Sequence, residues 1–304
     1  MNGAFHPNLI SCEGNSLGWY VKNSLEVLLQ GVRATSVIQS EQTVSKDKFK
    51  TLWNNEKLDS WKEKRLHGQF VREIPETTHV EESWSWLRKA DLKIQTEALI
   101  CAGQEQAVRT NYLKYHIDKT VESPLCRLCG EKGESVNHIV CECKKLAQRE
   151  YKQRYDNVAK VVHQKDKWYE HAADSVSEND EVKLLWDVNI QCDHVIEARR
   201  LDIVVVNKQE RKCTIIDIAV PVDKRIGEKE NEEVEKNQDL KREIARMWNM
   251  RTVQVVPIVV GSLGSVTKKL GQVSGKVECQ NCVSLQQKTT LLGTARILRR
   301  VLEL

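Results

Sequence analysis

Apolar runs and polar turns alternate in the second half of this chain. Residues 200–206 (RLDIVVV) and 213–222 (CTIIDIAVPV) are rich in β-branched residues and predict two strands, joined by a polar turn at 207–212. Residues 228–250 contain no Gly or Pro and predict one long helix, and residues 253–260 (VQVVPIVV) predict a third strand. A hairpin, a helix and a further strand indicate a mixed α/β domain.

The pattern elsewhere is mostly helical. Apolar residues fall near helical spacing from residue 82 to about 116, and residues 291–304 predict a short amphipathic helix. Residues 158–186 predict mixed helix and loop, with a solvated turn at 175–180. The chain divides accordingly into an N-terminal segment of unclear structure, a helical linker-like segment, a segment rich in Cys and basic residues, and the α/β domain, at residues 1–75, 76–122, 123–157 and 158–304.

The composition is typical of a globular protein, and the charge is localised. Of the 304 residues 40% are hydrophobic and 30% are charged, and the net charge is +4. Residues 144–160 hold six Lys/Arg and two Asp/Glu, an excess of four that equals the whole net charge. The first residues lack the long apolar run of a secretory or membrane segment, so we expect a nuclear or cytoplasmic protein that is not secreted and has no membrane partner.

Four soft ligands lie within eighteen residues, in the pattern Cys126-x2-Cys129-x8-His138-x4-Cys143. Such a set can close a tetrahedral zinc shell, and a zinc shell lets a short polar segment fold. Cys141 is an alternative fourth ligand, since Cys141 and Cys143 cannot easily serve one site together. The alternative to a structural zinc site is a group of buried thiols without a metal.

A basic segment follows the cysteine cluster directly. The residues that we expect to hold the phosphate backbone of a nucleic acid are Lys144, Lys145, Arg149, Lys152 and Arg154. The alternatives are that the cysteine cluster only braces the fold and that the basic segment is the solvated face of a helix. DNA or RNA is the partner that this segment indicates, and nothing in it indicates a small-molecule substrate.

Two acidic residues and a lysine indicate what is done to the phosphate. Asp202 and Asp217 lie in or beside apolar strands, where an unpaired carboxylate is unfavourable, and a hairpin brings them close to facing each other. Two carboxylates suit Mg²⁺, which can polarise a phosphodiester and generate a nucleophilic water. Lys236 lies on the apolar face of the predicted helix, which Lys229 and Glu233 share, so its ammonium is directed towards the sheet.

Each of these three residues also has a structural interpretation. An aspartate at the end of a strand is often a cap or turn residue, and a helix lysine often extends along apolar surface into solvent. Their combination, in the order strand, turn, strand and helix, is what indicates a catalytic site.

Several stretches resemble the C-terminal region of non-LTR retrotransposon polyproteins that carry a restriction-like endonuclease. They occur in the order found in that family and cover the chain from about residue 66 to its end. The stretches are LHGQF (66–70), SWSWLRKADLKIQTEALICAGQEQA (83–107), CRLCGEKGESVNHIVCECKKLAQREY (126–151), DHVIEARRLDIVVVN (193–207), IIDIAVP (215–221), EKNQDLKREIARMW (235–248) and LLGTARILRRVLEL (291–304).

This resemblance implies a fold and a function. The fold is a restriction-endonuclease-like mixed sheet with flanking helices, preceded by a helical segment and a small CCHC zinc knuckle. The function is that of a metal-dependent DNA endonuclease of the PD-(D/E)xK type, which nicks target DNA so that the exposed 3′ end primes reverse transcription. The cofactors implied are structural Zn²⁺ and catalytic Mg²⁺, and the partners are DNA and element RNA.

The resemblance also implies roles for single residues. Asp202 matches the first aspartate of the family's motif, and Asp217 matches its second acidic residue. Lys236 is similar to a lysine displaced onto the following helix, because Ala219 stands where the motif lysine would be. Arg200 is expected to contact DNA.

The chain departs from the family at two positions near this motif. Leu201 stands in place of the usual proline, and Asn237 in place of an aromatic residue beside the lysine. No YxDD-like polymerase motif is present, so we expect a truncated element without reverse transcriptase activity. Two rival hypotheses stay open: a catalytically inactive, zinc-dependent nucleic-acid-binding remnant, and a decaying copy that makes no functional protein.

Overall fold

The structure is a computed structural model that describes residues 46–64, 68–163, 176–190, 200–270 and 282–304. The chain divides into two compact units, Met1–Gln69 and Phe70–Leu304. The described part of the first unit is mainly one helix, α1 (Lys46–Lys62), whose side chains are mostly exposed. Residues 1–45, which form most of the predicted N-terminal segment, and residues 193–199 of the motif 193–207 lie outside the described residues.

Short helices precede the sheet, and longer ones pack against it. The helices described after α1 are α2 (Gln69–Glu73), α3 (Val80–Ser83), α4 (Trp86–Lys89), α5 (Ile94–Gln104), α6 (Asn111–Leu113), α7 (Lys144–Leu146), α8 (Lys152–His163), α9 (Ile226–Lys236), α10 (Gln238–Met247) and α11 (Cys282–Leu302). Among the described residues, π-helical turns lie at Lys114–Asp118, His138–Glu142 and Ala147–Tyr151, and a 3₁₀ turn lies at Asp223–Arg225.

The described strands form one mixed sheet in the order β1-β2-β3-β4-β5. They are β1 (Val176–Glu178), β2 (Val182–Asn189), β3 (Arg200–Asn207), β4 (Lys212–Ala219) and β5 (Thr252–Val259). Strands β1 to β4 pair antiparallel, and β4 pairs with β5 in parallel. The three predicted strands are β3, β4 and β5, and α9 and α10 form the crossover that a parallel pair requires. The predicted mixed α/β class is therefore confirmed.

The expectation of helix and loop before residue 186, with a solvated turn at 175–180, is wrong where β1 and β2 form. Strand β1 has only exposed side chains, and β2 reads VKLLWDVN, in which consecutive apolar residues fit a helix as well as a strand. Pairing with β3 decides the outcome, because it places Leu185 opposite the buried Val204. Residue 175 lies outside the described residues.

Helices cover the sheet on both faces. One apolar core joins α8 to the first face through residues such as Val158 and Ile216. A second core joins α10 to the opposite face through residues such as Ile244 and Ile215. Burial on both faces explains why β3 and β4 are nearly continuous apolar runs, in which a charged residue stands out.

The one long helix predicted over 228–250 is instead two helices, α9 and α10, which meet at Asn237. Asn237 is fully buried, and its Nδ2 donates to the carbonyl oxygen of Glu233 at 2.8 Å and to Asp217 Oδ2 at 2.8 Å. The side-chain amide thus takes the carbonyl that a backbone N–H would bind in a continuous helix. The interruption therefore turns a helix end towards the sheet beside Asp217.

The helical pattern from residue 82 to 116 is also divided, into α3 to α6. Asp91 and Gln106 have positive φ angles of 47° and 54°, and they lie just after α4 and α5. A left-handed residue ends a helix because the next peptide groups no longer follow its axis. The predicted C-terminal helix is confirmed and begins earlier, at Cys282.

A further apolar core joins the helical segment, the cysteine cluster and α11. Its buried members include Trp84, Val136, Ile139 and Leu298. Residues from three of the predicted segments thus share one core within the second compact unit.

Asp223 ties together the loops that follow β4 and β5. Its buried carboxylate accepts hydrogen bonds from the backbone N–H groups of Leu263 and Ser265 at 2.9 and 3.0 Å, and from the hydroxyls of Ser262 and Ser265 at 3.2 and 2.7 Å. Gly261 allows this contact, since a Cβ there would lie 2.2 Å from Asp223 Oδ1. Burial raises the pKa of Asp223 even though these donors act to lower it. The carboxylate is therefore a structural anchor.

In the part of the chain that the structure describes, every helix is too short or too polar to cross a membrane.

We expect Asp223→Ala to lower the free energy of unfolding by at least about 3 kcal/mol, because it leaves several buried donors without an acceptor. Urea denaturation followed by circular dichroism measures the change. The control is Asp239→Ala, which removes an exposed carboxylate. Equal stability of the two variants would contradict the role assigned to Asp223.

Candidate functional site

The four predicted ligands Cys126, Cys129, His138 and Cys143 converge, and their ligand atoms all lie within 4.8 Å of one another. Cys126 Sγ lies 3.9 Å from Cys143 Sγ, and Cys129 Sγ lies 3.3 Å from His138 Nε2. A zinc tetrahedron with Zn–S bonds of about 2.3 Å has S–S edges of about 3.8 Å. The cluster can therefore hold a metal such as zinc.

Local backbone structure places these four ligands. Gly130 adopts a φ of 68° and donates its N–H to the Cys126 carbonyl at 2.8 Å, which closes the turn between the first two cysteines. His138 begins a π-helical turn, and Cys143 directly follows it. The hydroxyl of Tyr151 accepts from the Cys143 N–H at 3.0 Å and donates to the Ile139 carbonyl at 2.7 Å. Tyr151 thus holds the second half of the cluster in place.

The chemistry of the donors fits a closed metal site. Burial lowers the pKa of His138, so its imidazole is neutral, the form that binds a metal. Burial raises the pKa of the Cys143 thiol to about 11. A thiolate at this position therefore needs a cation beside it.

Cys141 does not join the cluster. Its Sγ lies 3.7 Å from the Val220 carbonyl oxygen and 3.8 Å from Arg154 Nη2. The cluster that forms therefore contains Cys143, and not Cys141, as its fourth member.

An ion pair between the exposed Arg127 and a buried carboxylate fixes the cluster to the helices around it. Glu134 is fully buried, and it accepts from Arg127 Nη2 and from the backbone N–H groups of Arg127 and Asn111, each at 2.8 Å. Arg127 Nη1 also donates to the Val301 carbonyl of α11 at 3.2 Å. Burial acts to raise the pKa of Glu134, but the bonds from Arg127 outweigh it and the pKa is lowered.

The second candidate site lies where β3 and β4 separate. Their pairing stops at Ile203 and Ile216, so the next residues, Asp202 and Asp217, stand opposite each other. Asp202 Oδ2 accepts from the Ile218 N–H at 2.6 Å, and Asp217 Oδ2 accepts from Lys236 Nζ at 3.1 Å. The structure therefore brings together the two aspartates and the lysine singled out in the sequence.

Glu233 is a third carboxylate at this site. The sequence places it on the same helical face as Lys236 but indicates no specific role for it. It is 4% exposed, and it accepts from Lys236 Nζ at 3.1 Å and from Lys229 Nζ at 2.7 Å. The signal in the sequence is its spacing, three residues before Lys236 on the same helical face.

The surroundings of Asp217 disfavour the ionised form of its carboxylate. Burial raises the pKa of Asp217, and the facing carboxylate of Asp202 raises it further. Burial acts to lower the pKa of Lys236, but the charges of Asp217 and Glu233 outweigh it and the pKa is raised. The ligand atoms of the cysteine cluster all lie within 4.8 Å of one another. Among the described residues, no three acidic side chains form a group that meets the same criterion.

A cavity of about 510 Å³ lies beside Asp202, between α8 and the sheet. Tyr155 of α8 lines it, and its hydroxyl interacts with Asp202. Burial, and then the charge of Asp202, raise the pKa of Tyr155.

The predicted nucleic-acid-binding residues have different surroundings. Lys145 and Arg149 are exposed, and Lys144 is exposed and paired with Glu131. Lys152 pairs with Asp156 at 3.0 Å, and Arg200 Nη2 with Asp187 Oδ2 at 2.6 Å. Arg154 differs from the expected exposed position: it is 3% exposed, because α8 packs this side chain against Gly293 of α11.

Comparison with known families found no family model that matches the chain, and comparison with curated proteins found no match. Function is therefore inferred from the two clusters themselves.

We expect Cys143→Ser to lose bound zinc and Cys141→Ala to keep it, because only Cys143 lies within the cluster. Zinc per purified chain, measured by mass spectrometry of the metal, separates the two variants. Zinc loss in Cys141→Ala alone would show that the wrong cysteine has been assigned.

We expect Asp217→Asn to raise the thermal midpoint at pH 7 in magnesium-free buffer. The raised pKa means that Asp217 stabilises the fold below its ordinary pKa of 3.8 and that this contribution is lost as pH rises through the raised value. Asparagine removes the unfavourable charge, so the gain should shrink as the pH is lowered towards 4. Asp239→Asn is the exposed control, and a lower midpoint for Asp217→Asn at pH 7 would contradict the prediction.

Proposed function

We propose that this chain is a metal-dependent DNA endonuclease module of a retrotransposon-derived protein, joined to a zinc-stabilised nucleic-acid-binding segment. The observation that carries the proposal is the convergence of Asp202 and Asp217 from paired strands, with Lys236 in hydrogen-bonding contact with Asp217. Two carboxylates close together in an apolar sheet are unfavourable unless a cation lies beside them, and groups with strongly shifted pKa values cluster at functional sites.

In this proposal Asp202 and Asp217 hold Mg²⁺ at the point where β3 and β4 separate. An ion held there would supply polarisation of the phosphodiester and activation of the nucleophilic water. The raised pKa of Asp217 fits this role, because a cation favours the ionised carboxylate that burial disfavours. Lys236 stays protonated and donates to negative charge that develops on the phosphate.

Glu233 orients Lys236 in this proposal. It accepts from the same ammonium that donates to Asp217, so Lys236 contacts two carboxylates at once. The helix interruption at Asn237 also helps to position the site, since it lets Asn237 Nδ2 donate to Asp217 Oδ2.

The fold is compatible with this chemistry. A mixed five-stranded sheet with helices on both faces is what the described residues form, and the resemblance to retrotransposon endonucleases implies such a sheet. In this proposal Lys236 takes the role of the motif lysine that Ala219 lacks, and its contact with the Asp217 carboxylate from the following helix supports that role.

The cysteine cluster would hold the nucleic acid rather than cut it. Zinc at the Cys3His set would stabilise the turns that carry Lys144, Lys145 and Arg149, which are exposed. Three exposed cations suit the phosphate backbone of target DNA or element RNA, and the nucleus is the compartment in which that DNA is found.

One observation favours a second function, that of a zinc-dependent nucleic-acid-binding protein without catalysis. Both Lys236 Nζ and Asn237 Nδ2 already bind Asp217 Oδ2, so internal donors occupy an oxygen that a metal would use. This alternative predicts salt-sensitive DNA binding without cleavage.

We expect the full chain to nick supercoiled plasmid with Mg²⁺ and not without it. Asp217→Asn and Lys236→Met should each lower the nicking rate at least about a hundredfold, because the first removes a proposed Mg²⁺ ligand and the second removes the cation proposed to stabilise charge on the phosphate. Gel conversion of supercoiled to open-circular plasmid measures the rate.

Asp239→Asn, an exposed change on α10, should nick at the wild-type rate. DNA binding by Asp217→Asn, measured by fluorescence anisotropy, should match wild type. Nicking that survives in Asp217→Asn would refute the assigned site, and a wild-type chain that binds DNA but never nicks it would favour the second function.

A further inference from the structure

The cavity between α8 and the sheet is lined by three basic and three acidic side chains, and these do not all pair with one another. Arg154 lines the cavity, and no salt bridge joins its guanidinium to a carboxylate of the described residues. The cavity's other cations, Lys152 and Arg200, are paired with Asp156 and Asp187. Arg154 is thus the exception.

The guanidinium of Arg154 is held by weak or neutral partners. Nη1 donates to Thr294 Oγ1 at 2.9 Å, Nη2 lies 3.8 Å from Cys141 Sγ, and the group lies over the ring of Tyr151 at 5.4 Å. Nε is buried and has no hydrogen-bond partner within the described part of the chain. A buried cation in this state is unfavourable unless an anion is brought to it.

Two aromatic side chains form other parts of the cavity wall. Tyr155 of α8 and Trp186 of β2 are both half-buried and line it. Faces of this kind accept the flat surface of a nucleobase, which stacks on them whatever its sequence. The volume of about 510 Å³ lies within the range of roughly 300–1,000 Å³ in which proteins hold small ligands.

Asp202 connects this cavity to the acidic site. It lines the cavity, interacts with Tyr155, and stands opposite Asp217 on the neighbouring strand. A ligand in the cavity therefore lies directly beside the carboxylates proposed to hold the metal.

We infer that the cavity binds one nucleotide of the nucleic-acid strand, next to the bond to be cut, with its phosphate at Arg154 and its base against Tyr155 and Trp186. The strand context rests on the proposed endonuclease function. Binding of a nucleotide does not, because it needs neither magnesium nor cleavage.

Isothermal titration of the full chain with a deoxynucleoside monophosphate, in magnesium-free buffer, tests the inference. We expect one binding site, weakened about fivefold or more in Trp186→Leu through lost stacking and at least as much in Arg154→Gln. The matched controls are Trp248→Leu, at the end of α10 and packed against the core on the opposite face of the sheet, and Arg251→Gln, in the exposed turn before β5. Both should bind like wild type.

Several results would overturn the inference. They are no binding by wild type, equal binding by wild type and Trp186→Leu, and inorganic phosphate that binds as tightly as the nucleotide. Because Arg154 is buried, the binding result for Arg154→Gln is used only if thermal unfolding shows that this variant is folded. If it is not folded, the test rests on Trp186→Leu alone. Nucleotide binding without nicking would refute the endonuclease alone, and nicking without nucleotide binding would refute this site alone.

Discussion

The antiparallel register of β3 and β4 places Asp202 and Asp217 opposite each other, and the candidate chemistry depends on this one constraint. The strands stop pairing at Ile203 and Ile216, and the Asp202 carboxylate binds the N–H of Ile218 in place of a backbone carbonyl. Two facing carboxylates in an apolar sheet repel each other, which raises the pKa of Asp217. Cations lower this repulsion, and the structure already supplies an ammonium from α9.

Helix α8 and the turn before it connect the cysteine cluster to the acidic site. Tyr151 binds the backbone of Cys143, and Tyr155, one helical turn later, interacts with Asp202. Arg154 lies between them and reaches α11 through Thr294. A metal that orders the cysteine cluster would therefore also order the wall of the cavity, because both depend on the same short segment.

Local sequence patterns predict much of the acidic site. They do not predict the elements and side chains around it that come from distant segments. The hairpin turn and the β-branched runs predict β3 and β4, and with them the meeting of two aspartates. Strand β2 is missed because its apolar residues fit a helix equally well, and the interruption at Asn237 is missed because a helix-compatible sequence gives no sign of it. The buried position of Arg154 is missed because a basic residue in a basic segment is expected in solvent.

The order of residue types along the chain is enough to predict a Cys3His cluster, a mixed α/β class and two aspartates on adjacent strands, since each depends on short-range spacing or periodicity. Contacts between distant segments settled the rest. They excluded Cys141 from the cluster, brought Glu233 to the Lys236 that contacts Asp217, and left Arg154 without a carboxylate partner among the described residues. Such outcomes depend on which side chains compete for the same buried space and the same donors, and that competition exists only after the segments have packed.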